Sequence, residues 1–211
     1  MRTAAASGDG RAEALTTVRL GLFGGTFDPP HVGHLLAASD AYEALDLTRV
    51  VFIPAASQPL KQGAVAASPS ERLAMLRLLV GEDARFEVDP IEIDRGGLSY
   101  TVDTLEAYAT RHPAVERILL IGEDLAEQIA TWHRSERIAD LARVVVLARG
   151  RDAVARDARG SRPTLAVERV ATRRVDVSSS EIRARVRAGL SLRGFVTEAV
   201  ADYIRAAALY R

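Results

Sequence analysis

Short apolar runs recur along the chain at intervals that leave room for a helix between them. Val18–Phe23, Val50–Ile53, Phe86–Val88, Arg117–Ile121 and Val144–Ala148 read as strands, with Thr164–Val170 as a candidate sixth. Several are unbroken in Val, Ile and Leu, the pattern of parallel strands buried on both faces. His31–Leu45, Pro69–Val80, Thr101–Arg111, Leu125–Ala130 and Ser135–Leu141 read as the intervening helices, followed by Ser178–Ala188 and Val196–Leu209. Ser68-Pro69-Ser70-Glu71 opens the second helix with capping-box spacing and proline at its first position. Gly189 stops the helix that begins at the serine cluster. This alternation predicts an α/β fold, a doubly wound parallel sheet in a single domain over residues 18–211, with ligands beyond the carboxyl ends of the strands. Residues 1–17, small, polar and mixed in charge, read as a disordered leader, and Arg151–Pro163 reads as a solvated loop.

Charge and composition narrow the function classes. The 211 residues carry 28 Lys+Arg and 28 Asp+Glu, a formal net charge of zero, which argues against bulk nucleic-acid binding. Arginine far outnumbers lysine, so local basic patches facing small phosphorylated ligands stay open. There is no cysteine. Disulfides, thiolate catalysis and zinc–cysteine sites are excluded, and a reducing cytoplasm fits. No apolar run reaches membrane-spanning length, and the leader lacks the apolar core of a secretory signal, so no membrane partner is expected.

The chemistry is concentrated in Gly24-Gly25-Thr26-Phe27-Asp28-Pro29-Pro30-His31-Val32-Gly33-His34. A strand feeding glycines and then a helix start presents backbone N–H groups and a positive dipole end to an anion. His31 and His34 are three apart and share one face of the first turn if the helix begins near Pro30. Gly33 between them leaves the backbone open to approach. Taken alone, the glycine pair is equally a plain turn and Asp-Pro-Pro a plain loop. With His-x-Gly-His at a helix start the string resembles the HxGH signature of the nucleotidylyltransferases. In its full length it is similar to the nicotinate (nicotinamide) mononucleotide adenylyltransferase family.

Four further strings extend the resemblance over about Val18 to Arg211. Ser99-Tyr100-Thr101-Val102-Asp103-Thr104 is by itself a strand–turn–helix junction with Ser99 or Thr101 as cap; the resemblance implies that Tyr100 and Thr101 meet the nicotinate end. Gly122-Glu123-Asp124 follows a strand, and Asp124 either caps a helix or accepts from ribose hydroxyls; the resemblance implies that Gly122 and Asp124 meet the adenosine. Trp132, the one tryptophan, reads first as packing; its spacing from Gly122 matches the family and implies stacking on the pyridine ring, worth about 1–3 kcal/mol by analogy with base stacking. Val177-Ser178-Ser179-Ser180-Glu181-Ile182-Arg183 supplies caps at a helix N-terminus and resembles the family's ISSTxIR, implying that Ser179, Ser180 and Arg183 hold the triphosphate. Lys61, in a loop after the second strand, is by default solvated; a looser match implies that it faces the mononucleotide phosphate.

The resemblance implies an enzyme of NAD biosynthesis. Nicotinate mononucleotide attacks the α-phosphorus of ATP, pyrophosphate leaves, and nicotinate adenine dinucleotide forms. Gly24, Gly25, Thr26 and Phe27 join the ATP contacts, and His31 and His34 are the catalytic pair. Mg²⁺ is expected to travel with ATP, because no acidic cluster in the sequence makes a fixed protein cage for it. Association with further copies of the chain is left open. Two other readings compete: the same fold acting on phosphopantetheine or an alcohol phosphate, and a catalytically silent nucleotide sensor.

Overall fold

The computed structural model of the chain describes residues 17–58, 65–150 and 167–211. The expected leader (apart from Thr17), Lys61 and the expected loop Arg151–Pro163 lie outside them. Six strands form one sheet: β1 (Arg19–Gly25), β2 (Arg49–Pro54), β3 (Phe86–Val88), β4 (Glu116–Gly122), β5 (Arg143–Arg149) and β6 (Val167–Thr172). The order across the sheet is β3-β2-β1-β4-β5-β6, and every adjacent pair is parallel. The winding direction reverses between β1 and β4, which opens a crevice at their carboxyl ends.

The helices are α1 (Val32–Ala44), α2 (Pro69–Val80), α3 (Ile91–Arg95), α4 (Thr101–Arg111), α5 (Glu123–Ala126), α6 (Ser135–Leu141), α7 (Ser179–Arg187) and α8 (Glu198–Ala206). Strand side chains alternate between faces, so two apolar layers form. Phe23, Phe52, Ile118, Leu120 and Val145 pack with residues of α1, α2, α7 and α8. Leu22, Val51, Leu119, Ile121 and Val146 pack with residues of α4 and α6. These are the two faces of a doubly wound α/β domain. Among the described residues no helix is long and apolar enough to cross a membrane.

Several expected boundaries move, each for a local reason. The glycine pair belongs to the end of β1, where Gly24 and Gly25 register with Ile53 and Pro54 of β2, so the turn begins only at Thr26. Helix α1 starts at Val32, and His31 stands outside it as the extended N-cap residue. The helix expected over Leu125–Ala130 is broken. A short α5 gives way to a 3-10 turn, Ile129–Thr131, held by the Thr131 N–H and hydroxyl on the Gln128 carbonyl. Trp132 then leaves in an extended conformation. The terminal helix is shorter than expected: Thr197 caps its start, and positive φ at Ala208 and Tyr210 folds the tail back. The α3 turn was not foreseen; Asp89 starts it by accepting from the Ile91 N–H at 2.9 Å. Neither Ser99 nor Thr101 is the cap of α4, because Tyr100 occupies that position and the Ser99 hydroxyl instead accepts from the Ala56 N–H at 2.9 Å.

Candidate active site

Two cavities open at the carboxyl ends of β1 and β4, and the Gly24-Gly25 end of β1 lines both as a shared ridge. The larger, about 570 Å³, lies toward the N-termini of α1 and α7. The smaller, about 390 Å³, lies toward the N-terminus of α4. Gly24 faces open space: a Cβ built there meets nothing within 4 Å. Gly25 and Gly33 make room for neighbours instead. A Cβ at Gly25 would strike the Phe27 ring at 2.8 Å, and one at Gly33 would press on His31 Nδ1 at 3.0 Å. Gly33 lines the larger cavity, and its missing side chain also leaves space for the His31 ring.

The larger cavity gathers Thr26, His31, His34, Gly122, Asp124, Ser179, Ser180 and Arg183. The two imidazoles stack with centroids 3.7 Å apart. His34 Nδ1 accepts from the His31 backbone N–H at 3.2 Å, so a neutral His34 carries its proton on Nε2. His31 is 7% exposed, and its Nδ1 makes no hydrogen bond. Burial first, and then the positive charge of Arg149, lower its pKa to about 4, so the ring is neutral at pH 7. Phe27 also borders this cavity, but the residue is 3% exposed and its ring lies edge-on against Phe23, Phe52 and His34.

Serine and arginine of α7 lock the loop that carries the histidines. Ser178 caps α7 by accepting from the Glu181 N–H at 3.2 Å. Ser179 Oγ donates to the Pro29 carbonyl at 2.8 Å, and Arg183 donates to the Asp28 carbonyl at 2.7 Å. Ser180 remains exposed beside Ser178. Across the cavity, Asp124 is paired with Arg149 at 3.4 Å.

Tyr100, Thr101 and Trp132 come together on the smaller cavity, joined by Glu92 and His133. His133 lies against the Tyr100 ring with centroids 4.5 Å apart. Trp132 Nε1 is buried without a hydrogen-bond partner, a donor left for a ligand acceptor.

Three supporting residues escaped the sequence reading. The Asp28 carboxylate, 4% exposed, accepts from the amides of Ala66 and Ala67 at 2.9 and 3.1 Å and from the Tyr210 hydroxyl at 2.8 Å. Tyr210 thereby ties the last turn of the chain to the histidine loop. Arg72, 1% exposed, donates to the carbonyls of Thr26, Ala55, Ala56 and Ala67, bolting the ends of β1 and β2 together. Its signal was legible: it shares the 3-4 spacing of Met75, Leu76 and Leu79, so a charge sits on the buried face of α2. Leu209-Tyr210-Arg211 resembles the family's closing helix and reads as core packing, which the burial of Tyr210 matches; its bond to Asp28 has no local signal.

Residues 22–185 match the cytidylyltransferase-like family. A protein of Gemmatimonas aurantiaca described as a probable nicotinate-nucleotide adenylyltransferase is 51% identical over 92% of this chain and 93% of its own. One of the same description from Thermus thermophilus is 43% identical over 92% of this chain and 100% of its own. Among solved structures, the Plasmodium falciparum nicotinic acid mononucleotide adenylyltransferase complexed with NaAD superposes with a TM-score of 0.73, over 92% of this chain and 97% of that one. At 15% identity this is a likeness of fold.

Proposed function

Since the chain belongs to the cytidylyltransferase-like family and within it to the nicotinate-nucleotide adenylyltransferases, we propose that it transfers the adenylyl group of ATP to nicotinate mononucleotide, giving nicotinate adenine dinucleotide and pyrophosphate. The observation that carries this reading is the pair of cavities meeting over the Gly24-Gly25 ridge. One is ringed by helix N-termini, imidazoles and guanidinium groups, and suits a triphosphate. The other is a mainly apolar slot with a tryptophan, and suits a flat ring. A phosphate entering from the second cavity reaches the α-phosphorus across a glycine that leaves the way clear.

The reaction needs positioning and charge neutralisation more than covalent help. His34, with Nδ1 held by the His31 amide, aims an Nε2–H donor at negative charge growing on the α-phosphate. His31, Ser180, Arg183 and the amides at the start of α1 and α7 grip the β and γ phosphates. Gly122 and Asp124 take the adenosine, the Asp124 carboxylate accepting from ribose. Trp132 covers the pyridine ring, and the α4 amides with Tyr100 and Thr101 receive its carboxylate. The resemblance assigns the mononucleotide phosphate to Lys61, which lies outside the described residues. Mg²⁺ would travel with ATP and would supply positive charge at its phosphates. The reading assigns the enzyme to the cytoplasm, where its charged nucleotide substrates are found, with no nucleic-acid or membrane partner; association with further copies of the chain is left open.

The test is pyrophosphate release with ATP against four acceptors: nicotinate mononucleotide, nicotinamide mononucleotide, phosphopantetheine and an alcohol phosphate. The expected order puts nicotinate mononucleotide first. Activity with phosphopantetheine and none with either pyridine nucleotide contradicts the assignment, as does tight nucleotide binding with no pyrophosphate released.

A further inference from the structure

The smaller cavity has a one-sided charge inventory. Among the described residues that line it, Glu92 is the only carboxylate, and no lysine or arginine joins it. At 7% exposure Glu92 reaches the cavity wall without being a solvated surface acid. The Thr104 hydroxyl donates to its Oε1 at 2.7 Å, and Ser99 adds a second hydroxyl. These bonds satisfy lone pairs but bring no counter-charge. The nearby guanidinium, Arg95, is spent on the Thr104 oxygen at 3.3 Å and lies exposed. Burial accordingly holds the Glu92 carboxyl above the ordinary carboxylate range; the two hydroxyls and Arg95 act against that, and Asp103 adds to it. A buried acid so placed gains most from a cation delivered by a ligand. Trp132, whose π face also attracts positive charge, lines the same cavity.

A flat ring bearing positive charge fits that inventory. The pyridine of nicotinate mononucleotide is such a ring, because its nitrogen is bonded to ribose and is therefore a pyridinium. We infer that Glu92 supplies the carboxylate that recognises the positive charge of the pyridinium ring, so that the cavity distinguishes a pyridinium mononucleotide from the same molecule with an uncharged ring. The inference rests on the smaller cavity being the mononucleotide site. It goes beyond that reading by assigning ring-charge selection to one side chain.

The experiment compares two probes by titration calorimetry at pH 8: nicotinate mononucleotide, and its 1,4-dihydro form, which keeps the phosphate, ribose and carboxylate but has a neutral ring. The unaltered protein is expected to bind the pyridinium form about tenfold more tightly, a preference the size of one modest charge contact. In Glu92→Gln, which keeps the shape and an acceptor for Thr104, that preference is expected to fall severalfold through weaker pyridinium binding, with dihydro binding unchanged. Equal binding of the two forms by the unaltered protein overturns the inference without recourse to any variant. So does a Glu92→Gln chain that weakens both probes alike, which makes Glu92 a brace for Ser99 and Thr104 only, and so does one that keeps the preference. Binding of neither probe by the unaltered protein overturns the site reading itself, a result distinct from any of these.

Discussion

The two cavities are neighbours built on opposite plans. The larger is built chiefly on one stretch of chain, a strand end, the six-residue loop 26–31 and the first turn of a helix, and is closed by the ends of β4 and β5 and the serines of α7. Its working groups are backbone amides and polar tips, and Arg72, Asp28 and Tyr210 brace it from beneath. The smaller is assembled from segments far apart in sequence, with α3, α4 and the turn before α6 each contributing one to three side chains. Triphosphate binding thus depends on loop geometry, whereas ring selection depends on a few side chains that converge only in the folded state. The contrast predicts which substitutions disable the reaction and which shift its substrate.

The largest effect is expected at the loop. His34→Ala removes a preorganised donor and should lower turnover by about 100-fold or more while circular dichroism shows an intact fold. A variant retaining near-normal turnover would strip the larger cavity of its assigned chemistry. Next is the brace. Arg72→Met leaves four carbonyls without their donor and should cost about 3 kcal/mol or more in urea unfolding; a loss below about 0.5 kcal/mol would mean the loop does not need it.

His31 gives the comparison a pH axis. Its folded pKa of about 4 lies below the ordinary 6.5, so between those values the unfolded chain binds more protons. Stability is fully present above 6.5 and falls as the pH drops toward 4, by roughly 3 kcal/mol from this group. Glu92 slopes the other way. Its raised pKa means that its contribution is complete below the ordinary carboxylate range and declines as the pH rises through the folded value. Urea midpoints at pH 7 and 4.5 should converge in His31→Phe relative to the unaltered chain; an unchanged gap would remove His31 as the cause. The smallest effect belongs to the slot. Trp132→Ala should raise KM for nicotinate mononucleotide by about tenfold, equivalent to the 1–3 kcal/mol of ring stacking, and leave KM for ATP alone. Equal changes in both constants would merge the two cavities into one unit.

Legibility in the sequence follows the same divide. The sheet was readable because parallel strands buried on both faces write continuous Val, Ile and Leu runs, and α2 because Ser68 and Glu71 form the reciprocal cap their spacing implies. The larger cavity's residues lie in three short strings, so their juxtaposition follows once the fold class is set. Boundaries failed where tertiary contacts override periodicity. Trp132 pulls the chain out of a helical pattern, and Tyr210 enters the core only because the tail turns back through positive φ. Glu92 and Arg72 were passed over for a shared reason. The spacing of Arg72 marks a charge on a buried helix face, but what each charge does follows only from its partners in other segments, Thr104 in one case and the carbonyls in the other.

The most direct test of the central claim is a crystal structure with a non-hydrolysable ATP analogue and nicotinate mononucleotide bound together. The account predicts the α-phosphate within hydrogen-bond reach of His34 Nε2, the triphosphate at the starts of α1 and α7, and the pyridine ring beside Trp132, with Gly24 between the two ligands. A triphosphate seated away from both helix starts, or imidazoles turned from it into the core, would contradict it.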